Sequence, residues 1–200
     1  MSPAGPFAGL PEPAPHDIPT TTEVTPMRSP IDALIAKDAI RDVLMRYSRG
    51  VDRGDLELLK ACFHVDSTDN HGHWKGNGQD FAEFIVKSLP QRTHHTTHSV
   101  ANVLIELDDK DDNLAQAESY AIAYLRRTDA EGAEWLDLFS GRYVDRFERR
   151  DGHWRIADRV VVHDWSTSTR LDAAGSFHLP MEGFTQGCRG RSDLVYRHRP

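Results

Sequence analysis

The sequence predicts an α+β fold in which one curved sheet wraps around helices. Helical periodicity is confined to the part of the chain before residue 93. Four long strand-like segments follow, and the last two are joined by Asp151-Gly152, a dipeptide typical of a type I′ hairpin turn. Helices followed by consecutive strands are typical of the α+β class, and 38% apolar residues in a chain of 200 can form one core.

Proline content divides the chain into three parts. Eight of the eleven prolines lie in the first 30 residues, so residues 1–29 are predicted to form a disordered leader. A Pro-rich ligand for a partner domain is the alternative interpretation of this leader. The folded domain is expected over residues 30–165. Residues 166–200 lack periodicity and are expected to form a C-terminal extension that covers a pocket or a neighbouring subunit.

The first helix is predicted to begin after Ser29 and to end at Gly50. Ser29 can cap the helix, and Pro30 suits the first helical position. Apolar residues then recur at spacings of three and four as far as Arg49. Glycine is common just past the end of a helix, so Gly50 is the predicted stop.

Two shorter helices and four strands complete the predicted elements. The helices cover residues 55–63 and 80–89, the second ending before Pro90. The strands cover residues 93–107, 115–128, 135–149 and 154–163, where β-branched and aromatic residues are frequent. Because consecutive strands joined by short turns pair in sequence order, we expect an antiparallel meander packed on the helices.

Charge and cysteine content argue against several classes of function. The net charge of −7 argues against sequence-independent nucleic-acid binding, which needs a clustered basic face. The sequence has neither the ~18-residue apolar run of a membrane span nor a secretory signal in its first 30 residues. Cys62 and Cys188 are too few for a disulfide framework, so the reducing cytoplasm is the expected compartment.

Eleven histidines raise the question of a metal site. His94 and His98 have the spacing of a helical zinc motif, but that motif needs Glu after its first histidine, and here the residue is His95. The segment is also predicted as a strand, on which residues four apart are separated by roughly 13 Å. The sequence contains no P-loop, dinucleotide-binding glycine motif or serine-hydrolase elbow. We therefore expect neither a metal nor a cofactor.

Four residues could form an acid–base site without a cofactor: Tyr47, Asp52, His98 and Arg159. A histidine held by a carboxylate is a tuned general base, because the carboxylate fixes its tautomer. A phenol and a guanidinium can stabilise an oxyanion or a departing group. Each residue also has a structural alternative. Asp52 could cap a turn, Tyr47 could be a core residue, His98 could be a buried hydrogen-bonded ring, and Arg159 could form an ion pair.

Three segments that carry these residues resemble the SnoaL-like family of the nuclear transport factor 2-like superfamily. Residues 40–55 are similar to its first helix, residues 97–102 to its H-x-x-x-N strand, and residues 141–159 to its closing hairpin. The resemblance covers about residues 31–165. It implies a cone-shaped half-barrel with N-terminal helices packed in a strongly curved mixed or antiparallel sheet.

Within that family the chain is most similar to the branch that holds hexachlorocyclohexane dehydrochlorinase, bile-acid 7α-dehydratase and scytalone dehydratase. Asp52 and His98 match the catalytic dyad of this branch, and Tyr47 and Arg159 match residues of its pocket. The resemblance implies a cofactor-independent lyase for a hydrophobic, ring-bearing small molecule such as an aryl or steroid-like alcohol. His98 would remove a proton with the support of Asp52. Tyr47 and Arg159 would stabilise developing negative charge or the departing hydroxyl, halide or formaldehyde.

A further acid of this branch has no clear equivalent, and Glu118 or Tyr120 could supply it. Two other functions occur on the same fold. One is a non-catalytic module for ligand binding or subunit association, and the other is a ketosteroid-type isomerase. A solvent-reachable His98 hydrogen-bonded to Asp52 would favour the enzyme, and a filled cone would favour the module.

The resemblance also implies a homotrimer or a homodimer. Trp135, Phe139, Tyr143 and Phe147 alternate along one predicted strand, and we expect them on the outer face of the sheet. An apolar face of this size needs to be covered, and a second copy of the chain would cover it. The expected partners are therefore a hydrophobic substrate and further copies of this chain, with no nucleic acid or membrane.

Overall fold

The computed structural model describes residues 28–171 and 182–197. The leader predicted over residues 1–29 lies almost wholly outside the described residues, and so does the stretch 172–181 of the predicted extension. In the described part of the chain, no helix has the length and apolar character needed to cross a membrane.

The structure confirms the α+β class with a mixed, curved sheet. The helices are α1 (Pro30–Arg53), α2 (Leu56–Lys60), α3 (Gly78–Arg92) and α4 (Leu194–Arg197). The strands are β1 (Phe63–Asn70), β2 (Lys75–Asn77), β3 (His95–Leu107), β4 (Leu114–Thr128), β5 (Glu134–Arg150) and β6 (His153–Leu171). Within the described ranges they form one six-stranded sheet in the order β2-β1-β6-β5-β4-β3. β1 and β6 are parallel, and the other neighbours are antiparallel.

Helix α1 begins where the sequence predicts and continues past the predicted end. The Ser29 hydroxyl accepts the backbone N–H of Asp32 at 3.1 Å. The prediction that Gly50 ends the helix is wrong, because the helix stops at Gly54, whose φ of 61° is left-handed. A Cβ on Gly50 would lie 3.0 Å from the Leu59 Cβ. Gly50 is therefore a close-packing position between α1 and α2.

Strands β1 and β2 are absent from the sequence prediction, and α3 is longer than predicted. The polar sequence of β1 resembles a loop, and its parallel pairing with β6 is a long-range contact. α3 continues to Arg92 with Pro90 inside its last turn. Pro90 has no N–H, so the bond that this position would make to the Val86 carbonyl is missing from the last turn.

The Asp151-Gly152 hairpin forms as predicted. Asp151 has φ 52° and Gly152 has φ 79°, the two left-handed positions of a type I′ turn. β6 then extends to Leu171, well beyond the predicted limit at residue 163.

The prediction that the aromatic residues of β5 lie on the outer face of the sheet is wrong. Tyr143 and Phe147 are 4% and 0% exposed in the core, and Phe139 lines a cavity, so this set of residues points into the cone. The outer face carries the alternate residues of the strands, and six large apolar ones are exposed there. They are Leu104, Tyr120, Tyr124, Val144, Val160 and Trp165. Strand alternation shows which residues share a face but not which face is enclosed.

Gly141 lies at an irregularity between β5 and β6 where no side chain fits. A Cβ there would lie 2.2 Å from the Val162 carbonyl oxygen and 2.6 Å from the Phe139 ring. We expect Gly141→Ala to lower the free energy of unfolding by about 2–3 kcal/mol in urea denaturation. Gly187→Ala is the control, because its nearest contact would be an ordinary 3.9 Å. Equal stability of the two variants would contradict this packing.

Candidate active site

The structure brings Asp52 and His98 together from opposite parts of the chain. Asp52 lies on the last turn of α1, and His98 lies on β3. His98 Nδ1 is 2.6 Å from Asp52 Oδ1, and Asp52 Oδ2 accepts the backbone N–H of His98 at 2.8 Å. The carboxylate is thus held by two contacts to one residue, and both side chains are largely buried, with 10% and 15% exposure.

This geometry fixes the tautomer of His98. A carboxylate only accepts hydrogen bonds, so Nδ1 must carry the proton that it donates to Asp52. In the neutral ring Nε2 is then a lone-pair acceptor. Because His98 lines a cavity, the site can present a base to a bound molecule.

A second histidine–carboxylate pair, which the sequence analysis does not identify, lies beside Tyr47. His71 Nδ1 forms a short hydrogen bond with Asp69 Oδ1, and its Nε2 is 3.2 Å from the Tyr47 hydroxyl. Both Tyr47 and His71 line the same cavity as His98. The signal in the sequence is weak, because Asp69 lies on the unpredicted strand β1 and His71 follows that strand.

Burial sets the protonation of this second cluster. Desolvation lowers the pKa of His71 below its ordinary value, and the attraction of Asp69 offsets this only in part. The ring stacks on Phe81 with the centroids 4.0 Å apart. Burial also raises the pKa of Tyr47 well above its ordinary value, so the phenol keeps its proton.

Arg159 lies behind the cavity wall. It is fully buried and donates two 2.7 Å hydrogen bonds to Asp145. Burial disfavours the charged guanidinium, but the attraction of Asp145 outweighs it, so the pKa of Arg159 rises above its ordinary value. Its charged group lies 4.1 Å from the ring centroids of both Tyr47 and Tyr143. Arg159 therefore acts on the cavity through these rings.

The cavity has a volume of about 420 Å³ and a mainly apolar wall. Its apolar lining includes Val51, Phe81, Ile85, Leu125, Phe139 and Val161. Its polar groups include the two histidines described above, together with His73, Arg92, Arg127 and Asp137. Arg127 is paired with Asp137 at 2.6 Å. A concave apolar site with a few polar groups suits a small hydrophobic molecule.

Neither of the two further acids considered from the sequence reaches the cavity. Glu118 pairs with Arg142 at 3.0 Å, and neither residue belongs to the cavity lining. Tyr120 is 45% exposed and lies on the outer face of the sheet. These side chains lie on the wrong side of β4, so any acid must come from the residues that line the cavity.

The histidine run at the start of β3 does not converge on one point. His94 Nε2 contacts Glu134 at 3.0 Å, whereas His98 is held by Asp52. Within residues 28–171 and 182–197, no group of three or more His, Cys, Asp or Glu side chains has a metal-binding arrangement.

Part of the C-terminal segment packs against the end of α1 that carries Asp52. The Gly190 N–H donates to the Arg53 carbonyl at 2.6 Å, and the Arg53 side chain lies 3.5 Å from the Asp193 carboxylate. Arg189 donates to the hydroxyl of Thr93, which lines the cavity, at 3.0 Å and to that of Thr96 on β3 at 3.3 Å. This segment therefore contacts the elements on both sides of the Asp52–His98 pair.

Comparison with known proteins identifies the domain. The sequence of residues 32–160 matches the protein-family model of a SnoaL-like domain. A search of curated proteins finds no match.

Solved structures show the same fold at low identity. A candidate scytalone dehydratase from Novosphingobium aromaticivorans is 22% identical with a TM-score of 0.61, over 75% of this chain and 98% of that protein. A type 3 hexachlorocyclohexane dehydrochlorinase, LinA, from Novosphingobium barchaimii is 21% identical with a TM-score of 0.62, over 76% and 99%. The β subunit of a candidate aromatic-ring-hydroxylating dioxygenase from N. aromaticivorans is 21% identical with a TM-score of 0.53, over 66% and 92%.

The Arg159–Asp145 pair gives a stability prediction. Removing one partner leaves a buried unpaired charge, so we expect Asp145→Ala to lower the free energy of unfolding by about 3–5 kcal/mol. Replacing both partners with apolar residues, as Arg159→Met with Asp145→Leu, should restore most of that loss. Urea denaturation measures both effects.

The control for this experiment is the exposed pair of Asp42 and Arg46 on α1. Asp42→Ala should cost under about 0.5 kcal/mol, because solvent screens the pair. If Asp145→Ala is as mild as this control, the buried pair does not stabilise the fold.

Proposed function

This chain belongs to the SnoaL-like domain family, and from that premise we propose that it is a cofactor-independent lyase for a hydrophobic, ring-bearing small molecule. The observation that carries the proposal is the hydrogen bond from His98, which lies in the wall of a mainly apolar cavity, to the buried Asp52. A module without catalysis has no need of this pair, since burying polar groups away from water is costly. The cavity is also not filled by side chains, as a purely structural cone would be.

His98 is the proposed base. Its Nε2 takes a proton from a substrate carbon, the electrons of the broken C–H bond form a double bond, and a hydroxyl or halide on the next carbon leaves with its bonding pair. Where formaldehyde departs, Nε2 takes the proton of a CH2OH group, the O–H pair forms the carbonyl of formaldehyde, and the C–C pair forms the double bond as a hydroxyl leaves the next carbon. Asp52 fixes the ring and stabilises the imidazolium that forms. Hydroxyl, halide and formaldehyde are the candidate departing groups, and an aryl or steroid-like alcohol fits the apolar wall.

Tyr47 and Arg159 complete the proposed site at different distances from the substrate. Tyr47 lines the cavity and can contact a polar group of the substrate directly. Arg159 has no exposed surface, so we assign it as a positioning residue that holds the Tyr47 ring. The reaction needs no cofactor in this scheme, and the reducing cytoplasm is the proposed compartment.

Substitution of the dyad tests the proposal on a substrate found by screening aryl and steroid alcohols. His98→Ala should lower the rate by about 10²–10⁴-fold, because the base is lost. Asp52→Asn should lower it by at least about 10²-fold, because the amide can donate to Nδ1 and turn Nε2 into a donor. The two losses should be strongly non-additive. Tyr47→Phe should cost less, about 10–10²-fold, because it removes one hydrogen-bonding contact to the substrate and leaves the dyad intact.

Thermal melts run beside the kinetics separate catalysis from folding. His153→Ala, an exposed histidine of the hairpin, is the matched control and should keep both rate and melting temperature. If both dyad variants stay folded with near wild-type turnover, the chain is not this lyase, and a ligand-binding or subunit-association module replaces it.

The outer face of the sheet supports a homotrimer or homodimer as part of the proposal. Val144 and Val160 are neighbours on β5 and β6, and both are exposed beside Tyr120 and Trp165. Light scattering at micromolar concentration should give a multiple of the monomer mass. Val144→Lys with Val160→Lys should give monomers, whereas Val65→Lys at an exposed site on β1 should not. A wild-type monomer would rule out this assembly.

A further inference from the structure

The hydrogen bond between Tyr47 and His71 has a direction that the neighbouring carboxylate determines. The Asp69 carboxylate can only accept, so His71 Nδ1 carries a proton and donates it. A neutral imidazole has one N–H, so its Nε2 is then an acceptor. The Tyr47 hydroxyl lies 3.2 Å from this Nε2 and must be the donor.

His71 is neutral at neutral pH because of its surroundings. The titratable and charged groups that face it are Tyr47, Asp69, His73, Tyr143, Asp145 and Arg159. Their effects oppose one another, whereas the burial of the ring against Phe81 disfavours its charged form. The resulting pKa lies below the ordinary value for histidine.

A phenol has a single hydroxyl hydrogen, and in Tyr47 that hydrogen forms the bond to His71 Nε2. The Arg159 guanidinium also interacts with the oxygen of Tyr47, so towards a molecule in the cavity this oxygen can offer only a remaining lone pair. A substrate hydroxyl meets a partner there, but an ether, carbonyl or halide meets an oxygen that cannot donate to it. A site that holds an acceptor discriminates strongly against an isostere that lacks the matching donor.

We propose that the Asp69–His71–Tyr47 chain makes Tyr47 a hydrogen-bond acceptor that selects substrates with a hydroxyl group over the corresponding ethers, ketones and halides. The inference rests on the proposed function only in taking the cavity as the substrate site. It narrows the substrate class to alcohols and phenols. In this arrangement Tyr47 accepts a hydrogen bond from the substrate, whereas a phenol that assists a departing group would donate one.

Binding of three probes tests the direction of the bond. β-Naphthol carries the hydroxyl, its methyl ether lacks the donor, and naphthyl methyl ketone offers only an acceptor. Calorimetric titration of the wild-type protein should show β-naphthol binding about 10-fold or more tightly than the other two, because a buried polar group left unpaired is costly. Tyr47→Phe should remove this preference.

His71→Phe provides the sharper variant. Phenylalanine keeps the stacking on Phe81 but has no Nε2, so the Tyr47 hydroxyl is free to donate into the cavity. The preference should shift toward the ketone, an effect that loss of packing alone does not produce. His153→Phe is the matched control, since His153 is an exposed histidine of the β5–β6 hairpin outside the cavity, and it should leave the preference unchanged.

Two further measurements serve if His71→Phe does not fold. Asp69→Asn no longer fixes the tautomer of His71, so the preference for β-naphthol should shrink. In the wild type, a pH below the lowered pKa of His71 charges the ring, and Nε2–H then donates to Tyr47. The Tyr47 hydroxyl turns into the cavity, so the preference should fall as the pH is lowered.

Three outcomes would overturn the inference. They are equal binding of the three probes, a wild-type preference for the ketone that Tyr47→Phe removes, and a naphthol preference that survives Tyr47→Phe. In the last case another acceptor, such as His98 Nε2, receives the hydroxyl. Binding needs no turnover, so naphthol selection by Tyr47 together with unimpaired dyad variants would refute only the proposed lyase.

Discussion

The inner face of the sheet is organised around one buried charge, the guanidinium of Arg159. Strand register places Asp69, Arg159 and Asp145 in one row across β1, β6 and β5. A guanidinium with no exposed surface is tolerated only with a close partner, and Asp145 provides two hydrogen bonds. The rings of Tyr47 and Tyr143 pack on the charge, so Arg159 fixes the position of the Tyr47 hydroxyl.

The two histidine–carboxylate pairs follow the same local rule and differ in what lies beyond the ring. In both, the carboxylate accepts a hydrogen bond from Nδ1–H, so Nε2 of the neutral ring is an acceptor. His98 Nε2 is left for a molecule in the cavity, whereas His71 Nε2 already receives the Tyr47 hydroxyl. One pair is therefore suited to remove a proton and the other to orient a phenol. The two histidine–carboxylate pairs therefore give the cavity two different polar groups, His98 Nε2 and the Tyr47 hydroxyl.

Sequence reasoning predicts those residues of the candidate site that lie in segments with local signals. The Asp151-Gly152 turn needs two left-handed residues, and Tyr47, Asp52 and His98 lie in segments with recognisable motifs. Sequence reasoning does not identify Asp69 and His71, because β1 is polar and pairs with β6, which is far away in sequence.

Two predictions from the sequence are wrong for the same physical reason: the face of β5 that is buried and the residue at which α1 ends. Tyr143 and Phe147 alternate correctly, but the apolar residues on both faces of β5 hide which side the curvature encloses. Gly50 satisfies the rule for a helix end, yet the contact with Leu59 explains it better. Tertiary contacts of this kind leave no periodic trace in the chain.

The contacts of the C-terminal segment follow from where α1 ends. The last carbonyls of a helix lack intrahelical partners, and at α1 the Gly190 N–H satisfies that of Arg53. The Asp193 carboxylate adds an ion pair to the Arg53 side chain. Asp52 precedes Arg53 directly, so the turn that orients the dyad is held from outside as well as by His98. For the proposed role of Asp52 in orienting His98 this support matters, because catalytic geometry depends on the rigidity of the supporting residues.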